Sequence, residues 1–285
     1  MKKLIFAAAA VAGMGAFALE SANIVGFQGA DVPKGYYNIQ GVMFQDVSGT
    51  TIDLQNVKMG DNDLLDASTT LRTWSGSAWV DFVYGELVDA DWNNITDADG
   101  NKVIGWGQDP DGMMAAFQLS EPKALRRGEA FLITASGGTA GDAAMKVSGE
   151  VWNAGSDVQW VGYEVPKGSF NLCCNPFPGA EMDLQNIKMG ENDLLDASTT
   201  LRTWDGTAWV DYVYGELVDA DWNNITDAEG NKVIGWGQDP DGMMAAFQLA
   251  EPKILRPGEG FLATASGGTT GSAQMLFKNP FYVAE

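Results

Sequence analysis

The sequence predicts an all-β protein made of two tandem antiparallel β-sandwich or barrel-like domains. Three observations predict this class: an internal repeat, short apolar runs separated by turn residues, and 35 glycines in 285 residues. Few segments keep a helical spacing of apolar residues over three turns, whereas strands recurring about every 8–12 residues are typical of sandwiches and barrels. Hydrophobic residues make up 45% of the chain, which is enough to build a core.

The internal repeat divides the chain into two copies of one domain. Residues 56–139 match residues 186–269 without a gap at an offset of 130, and eleven of these 84 aligned positions differ. A repeat of about 130 residues has the size of a whole domain and is too long for a solenoid unit. We therefore predict a first copy at residues 19–152 and a second copy at residues 153–285.

Apolar runs bounded by turn residues mark the strands within each copy. Ser75-Gly-Ser-Ala78 is typical of a hairpin turn, and Asp97-Ala-Asp-Gly100 is typical of a second turn. Around these turns, the first copy is expected to contain strands at Asn23–Phe27, Tyr36–Phe44, Leu71–Trp74, Trp79–Tyr84, Val103–Trp106, Ala115–Leu119 and Glu129–Thr134.

The composition excludes several classes of function. The chain has 17 Lys and Arg against 38 Asp and Glu, a formal charge of −21, so we expect no nucleic-acid partner. The absence of histidine removes Ser–His and Cys–His nucleophile pairs and imidazole metal ligands. The two cysteines, Cys173 and Cys174, are too few for a Cys₄ zinc site. As neighbours on a strand they predict two buried or half-buried thiols, and a disulfide between molecules stays open.

Residues 1–18 are typical of a secretory signal peptide. Lys2 and Lys3 form a positive start, an apolar Ala-rich run follows, and Ala16-Phe-Ala18 supplies the small residues of a cleavage site. The apolar run is too short to span a bilayer, and no other such run follows, so we expect no membrane span in the mature chain. The sequence therefore predicts a periplasmic, cell-surface or extracellular protein.

The second copy contains three short motifs: Asn171-Leu-Cys-Cys-Asn-Pro-Phe177, the Trp-x-Gly-x-x-Trp hairpin at 204–209, and Leu255-Arg-Pro-Gly-Glu-Gly-Phe261. They resemble the N-L-x-x-N-P strand and the P-G-E-G-F turn of uncharacterised secreted and cell-envelope bacterial β-modules. The first copy departs from that pattern, since Asn38–Phe44 lacks the Asn-Pro pair and Arg126–Phe131 lacks the proline. The resemblance implies a surface or envelope protein, and it carries over no catalytic residue.

An acidic loop in each copy is the candidate cation site. Carboxylate and amide oxygens at alternate positions suit a hard cation such as Ca²⁺, which takes about six to eight oxygen ligands. The EF-hand pattern is not met, because Asn94 and Gly100 occupy the positions of its glycine and glutamate. The alternative is a pair of Asx-capped turns without metal. The candidate ligands are Asp89, Asp91, Asn93, Asp97 and Asp99, with Asp219, Asp221, Asn223, Asp227 and Glu229 in the second copy.

Tryptophans beside carboxylates are the candidate carbohydrate ligands. An exposed indole can stack on the apolar face of a sugar while a carboxylate accepts its hydroxyl hydrogens, and the alternative is that the rings pack in the core. Alternation along Trp79–Tyr84 predicts that Phe82 faces the core and that Trp79 and Asp81 face solvent. The candidate residues are Trp79, Asp81 and Trp92, with Trp209, Asp211 and Trp222 in the second copy.

From these features we expect a secreted, non-enzymatic structural or adhesive protein of the bacterial cell surface or extracellular matrix. Two alternatives stay open. One is a carbohydrate-binding, lectin-like protein with two equivalent sites, with or without the help of Ca²⁺; the other is a glycoside hydrolase that uses paired carboxylates. Glycans or envelope components fit as partners, self-association is open, and Ca²⁺ is the one candidate cofactor.

Overall fold

A computed structural model describes residues 25–35, 37–46, 49, 51–60, 69–110, 117–119, 123–135, 141–152, 154–190, 199–205, 207–239, 247–249, 252–265 and 271–284. In these residues the chain is nearly all strand, with short 3₁₀ turns at Leu54–Asn56 and Leu184–Asn186. The strands form several antiparallel sheets in a sandwich-like arrangement, which confirms the all-β prediction. The predicted signal peptide lies outside the described residues.

The first copy contains two larger sheets and one strand pair. Its strands are β1 (Val25–Pro33), β2 (Tyr37–Gly41), β3 (Phe44–Gln45), β4 (Thr51–Asp53), β5 (Val57–Met59), β6 (Thr70–Trp74), β7 (Trp79–Val88), β8 (Ile104–Gly107), β9 (Phe117–Gln118), β10 (Ala124–Arg126), β11 (Ala130–Thr134) and β12 (Asp142–Val151). One sheet has the order β2-β11-β6-β7-β8, with β9 parallel to β7. The other has the order β1-β12-β3, with β5 also on β12, and β4 pairs with β10.

The second copy repeats this plan. Its strands are β13 (Trp160–Pro166), β14 (Phe170–Cys174), β15 (Met182–Asp183), β16 (Ile187–Met189), β17 (Thr200–Trp204), β18 (Trp209–Val218), β19 (Ile234–Gly237), β20 (Phe247–Gln248), β21 (Ile254–Leu255), β22 (Gly260–Thr264) and β23 (Ser272–Lys278). The six-stranded sheet has the order β14-β22-β17-β18-β19, with β20 parallel to β18. The smaller sheet is β13-β23-β16, and β15 pairs with β21.

The predicted strands differ from the observed ones in extent, since β1 continues to Pro33 and β7 to Val88, in the short strands β4, β5 and β10, which were not predicted, and at one strand break. The hairpin around residues 75–78 is confirmed, because β6 and β7 pair up to Trp74 opposite Trp79. The single strand predicted over Tyr36–Phe44 is wrong, since β2 ends at Gly41 and β3 begins at Phe44, with two residues between them. Between them the Val42 N–H donates to the Glu129 carbonyl oxygen at 2.9 Å and the Val42 carbonyl oxygen accepts from the Gly128 N–H at 2.8 Å, so Val42 faces two residues and the strand ends in a bulge.

Each copy buries its own hydrophobic core. One cluster of buried side chains runs from Val32 to Val147, and a separate cluster runs from Val165 to Phe277. Trp106 lies in the first cluster with only 1% of its surface exposed, and its Nε1 donates to the Val57 carbonyl oxygen at 2.8 Å. The largest side chain of the first core is therefore both packed and fully hydrogen-bonded, as buried polar atoms require.

The two copies pack against each other through the outer faces of their six-stranded sheets. Ile39 of the first copy is buried in one apolar cluster with Leu172 and Cys174 of the second. Two backbone hydrogen bonds join the copies: the Gly41 N–H donates to the Gly258 carbonyl oxygen at 2.8 Å, and the Cys174 N–H donates to that of Gly128 at 2.9 Å. The interface therefore combines apolar burial with strand-like backbone pairing.

This interface has pseudo-two-fold symmetry. The heads of the copies align at an offset of 133, since Val32-Pro-Lys-Gly35 returns as Val165-Pro-Lys-Gly168, while the later residues align at 130. Gly41 therefore corresponds to Cys174, and residue 128 to residue 258, so the two backbone bonds between the copies are equivalent. Each copy uses the same surface to hold the other, as the subunits of a two-fold dimer do.

Gly41 and Cys174 are corresponding positions that face each other at the centre of the interface, and there is room for a side chain at only one of them. A Cβ added to Gly41 would lie 2.1 Å from the Cβ and 2.2 Å from the Sγ of Cys174. A Cβ added to Gly260 would lie 2.2 Å from Cγ2 of Ile39, and the first copy has Ala130 at the position corresponding to Gly260. Each copy therefore fits the other better than it would fit a second copy of itself.

The described residues include no helix that is both long enough and apolar enough to cross a membrane.

Candidate functional site

A cluster of aromatic and charged side chains lies on the outer face of the first six-stranded sheet. We call Tyr37, Arg72, Trp79 and Asp81 the first platform. The Arg72 guanidinium carbon lies 6.0 Å from the Tyr37 ring centroid and 5.9 Å from that of Trp79, which is the range of cation–π contact. Tyr37 is 57% exposed and Trp79 is 41% exposed. The Arg72 guanidinium thus lies within cation–π range of both the Tyr37 and the Trp79 ring, and both rings are exposed to solvent.

Neighbouring side chains fix the geometry of the first platform. Arg72 donates two hydrogen bonds to the Asp81 carboxylate, one of them 2.8 Å long, and these bonds raise the pKa of Arg72. The edge of Trp74 packs against Trp79 with their ring centroids 5.1 Å apart. Phe82 lies on the opposite face of β7 and is buried in the core of the first copy, which confirms the alternation predicted for Trp79, Asp81 and Phe82. Trp79 therefore packs against Trp74 on one side while 41% of its surface stays exposed to solvent.

The second copy presents a matching cluster, the second platform, made of Phe170, Arg202, Trp209 and Asp211. Arg202 donates two hydrogen bonds to Asp211, and Trp209 packs against Trp204 at a centroid distance of 5.3 Å. Phe170 takes the place of Tyr37 and is similarly exposed. The chain therefore carries two platforms of nearly the same chemistry, related by the pseudo-two-fold axis.

Trp92 lies far from the first platform, at the opposite end of β7. Trp79 begins this strand and Trp92 follows its last residue, Val88, so about 30 Å of extended chain separates the two indoles. Trp92 is 45% exposed and has φ of 65°, a left-handed conformation that bulky residues rarely adopt. Trp222 repeats both features, with φ of 64°. The predicted carbohydrate ligands thus form two separate surfaces in each copy.

Hydrogen bonds that Asp89 accepts hold Trp92 at the tip of its turn. The Asp89 carboxylate accepts from the backbone N–H groups of Asn93 and Asp91, both at 2.9 Å, and the Trp92 N–H donates to the Asp89 carbonyl oxygen. The hydrogen bonds from Asn93 lower the pKa of Asp89 most strongly, so the carboxylate stays ionised. The acidic turn therefore serves as a support for an exposed, strained tryptophan.

The predicted cation ligands are divided between two such turns in each copy. Asp97 accepts from the backbone N–H groups of Asp99 and Asn101 at 2.9 Å, and these bonds lower its pKa. Asp219 and Asp227 make the same bonds in the second copy. The described residues include every predicted ligand, and among them no three His, Cys, Asp or Glu side chains gather as a metal site. The Asx-turn alternative accounts for this geometry, and Ca²⁺ binding stays a prediction.

Cys173 and Cys174 are both buried and free, which confirms the predicted buried thiols. Burial raises the pKa of Cys173 to about 12, and the nearby Glu129 acts in the same direction. Burial also raises the pKa of Cys174, which faces the other copy. Both sulfurs therefore belong to the packing of the second copy and of the interface.

We expect neither thiol to react with Ellman's reagent at pH 8 in the folded protein, and both to react in guanidinium chloride, because the thiolate is the nucleophile. The folded pKa of Cys173 lies above the unfolded value, so its contribution to stability is present below about pH 8.5 and is lost as the pH rises towards 12. Rapid labelling of either cysteine without denaturant would contradict the burial that the structure describes.

Of the first platform, the sequence predicted Trp79 and Asp81 as candidate ligands but did not predict Tyr37 or Arg72. Tyr37 lies on β2 and reaches Trp79 only through the order of strands in the sheet. The sequence matches no model of a known protein family, and it matches no curated protein. A sequence signal for Arg72 does exist, because Arg72 and Asp81 are directly opposite across the predicted hairpin.

Proposed function

We propose that the chain is a secreted, non-enzymatic adhesive protein of the bacterial cell surface or extracellular matrix, and that it attaches to carbohydrate. The observation that carries the proposal is the exposure of four indoles at matched positions: Trp79, Trp92, Trp209 and Trp222. Burying a large apolar side chain stabilises a protein by about 1.5–3 kcal/mol, so four half-exposed indoles leave much of that energy available for a ligand. The signal-peptide pattern of residues 1–18 supports export.

The first platform has the chemistry that a neutral sugar needs. The apolar C–H face of a pyranose can stack on the open part of the Trp79 ring, with Tyr37 supporting a neighbouring residue. Arg72 supplies N–H donors beside the ring, and the Asp81 carboxylate has lone pairs left for sugar hydroxyls after its two bonds to Arg72. A stacking surface with donors and acceptors at its rim favours a saccharide over a purely apolar ligand.

The repetition of the platform favours attachment to a polymer. The two platforms belong to one packed pair of domains, so a polysaccharide that binds one is held near the other. Binding at the second platform is then governed by an effective concentration, and the overall affinity can exceed that of either site by about 10²–10⁴. Weak single contacts of this kind suit an adhesive role.

The test is binding of residues 19–285 to an array of neutral glycans, followed by titration of the best ligand. We expect Trp79→Ala combined with Trp209→Ala to lower the affinity at least tenfold, since both stacking faces are removed. The matched control is Leu119→Ala combined with Leu249→Ala, which removes two equally exposed apolar side chains and should leave binding unchanged. Circular dichroism of each variant checks the fold.

A second pair of substitutions separates the platforms from the turn tips. Trp92→Ala combined with Trp222→Ala removes the strained indoles and leaves both platforms intact. Loss of binding in this pair would assign carbohydrate recognition to the tips, whereas loss in the Trp79 pair assigns it to the platforms. Absence of binding to every glycan, or binding that neither tryptophan pair weakens, would overturn the proposal.

A further inference from the structure

A cleft of about 760 Å³ opens at the interface between the two copies. One wall comes from the first copy, with Trp74, Ser75 and the segment 123–130, and the other wall comes from the second copy, with Tyr163 and Glu164. This volume falls within the range of about 300–1,000 Å³ that small-molecule sites occupy, and such sites often lie between domains. The cleft exists only because the copies are paired.

The charge of this cleft is opposite to that of the whole protein. Three cations and two carboxylates line it, and Lys123 lies 3.4 Å from Glu129 as an ion pair, so Arg126 and Arg127 face Glu164 with one positive charge in excess. The whole chain has a formal charge of −21. A local excess of cations in so acidic a protein indicates a site for a negatively charged ligand.

Arg127 is held at the cleft by neutral groups. Its Nε donates to the Tyr163 hydroxyl at 3.2 Å, its Nη1 donates to Gln45 Oε1 at 2.7 Å, and its guanidinium carbon lies 3.6 Å from the Trp152 ring centroid. These partners fix the position of the guanidinium without cancelling its charge. Gln45 and Trp152 belong to the first copy and Tyr163 to the second, so the position of Arg127 depends on the packing of the two copies.

The pseudo-two-fold axis does not produce a second cleft with this charge. At an offset of 130, Arg127 corresponds to Pro257, and Ser75 corresponds to Asp205. Thr51, which also lines the cleft, corresponds to Glu181, and the three differences make the cleft three charges more positive than the corresponding set of positions would be. Among the described residues, the positions that correspond to the lining of this cleft therefore lack its excess of positive charge, whereas the platform residues occur in both copies.

We propose that this cleft binds one short acidic oligosaccharide, built from uronic acid units, per molecule. Arg126 and Arg127 pair with the sugar carboxylates, and Glu164 and the Tyr163 hydroxyl bond the sugar hydroxyls, while Lys123 and Glu129 stay paired with each other. The two carboxylates of the cleft would repel a phosphate-rich ligand, but they suit a molecule that carries many hydroxyls for each negative charge. This site differs from the platforms in two ways: its ligand is negatively charged, and one ligand binds per molecule, whereas the two platforms bind neutral sugar.

The test is calorimetric titration of residues 19–285 with trigalacturonate and, in parallel, with neutral galactotriose. We expect one trigalacturonate per protein, bound at least tenfold more tightly at the cleft than the neutral trimer. Ser75→Asp should weaken trigalacturonate at least threefold, because it places a carboxylate in the cleft. Asp205 occupies the same turn in the second copy with equivalent backbone hydrogen bonds, so the substitution is compatible with folding.

The matched control is Asp205→Ser, which changes the corresponding turn outside the cleft and should leave the affinity for trigalacturonate unchanged. Two equivalent sites for trigalacturonate, equal affinity for both trimers, no binding, or indifference to Ser75→Asp would overturn the proposal. A protein that binds no neutral glycan on the array but binds one trigalacturonate would reject the platforms while supporting the cleft. The two proposals therefore fail separately.

Discussion

Gly41→Ala is expected to lower the free energy of unfolding by about 1–3 kcal/mol, the usual cost of overpacking a close-packed site. The added Cβ would lie 2.1 Å from Cys174 Cβ, and the backbone on both sides is fixed by the hydrogen bonds between the copies. Urea denaturation measures the change. The control is Gly29→Ala, because a Cβ added to Gly29 meets no atom within 4 Å.

Replacing Cys174 by glycine in the Gly41→Ala chain is expected to recover most of the lost stability. The double variant places the side chain on the first copy and the glycine on the second, which is the same arrangement turned about the pseudo-two-fold axis. A double-mutant cycle isolates the coupling between the two positions. If Gly41→Ala is neutral, or if Cys174→Gly adds a second loss, these positions do not face one another.

Trp106→Ala is expected to cost about 3–5 kcal/mol, which is the range for truncating a buried aromatic side chain. The ring is 1% exposed, and its removal also leaves the Val57 carbonyl oxygen without its donor. Thermal or urea unfolding measures the loss. The control is Trp92→Ala, which deletes the same side chain from a 45% exposed position and should change stability by less than about 0.5 kcal/mol.

The second copy offers a replicate of this experiment. Trp236 is as buried as Trp106, and its Nε1 donates to the Ile187 carbonyl oxygen at 2.8 Å. Trp236→Ala should therefore cost nearly the same free energy as Trp106→Ala. A difference larger than about 1 kcal/mol between the two would contradict the structural equivalence of the cores.

The local features of the fold were predictable from the sequence because they depend on short-range physics. Alternation along β7 predicted a buried Phe82 beside an exposed Trp79, and the turn residues 75–78 predicted the hairpin. The strand break at Val42 was not predictable, because the apolar run continues there while the backbone bonds to Glu129, which is distant in sequence. A non-local hydrogen bond overrides local preference in such cases.

The composition of the first platform and the cleft depends on sheet order and on the pairing of the copies. Arg72 and Trp79 share one predicted hairpin, but Tyr37 comes from β2, which is distant in sequence and reaches them through the order of strands in the sheet. The cleft needs residues of both copies, and the repeat alone predicts two equivalent domains without saying which faces meet. The differences at Arg127 and Ser75 are visible in the sequence, but they acquire a meaning only once both residues are known to line one cleft.

The complementary pairing of Gly41 with Cys174 also allows reciprocal domain exchange. The first copy of one molecule can pair with the second copy of another, and every contact across the interface is then preserved. The exchanged dimer and the monomer share the interface contacts and differ in the path of the chain between β12 and β13 and in the entropy of joining two molecules. We expect a high protein concentration to favour the exchanged dimer, which is closed because both copies of each molecule are then paired.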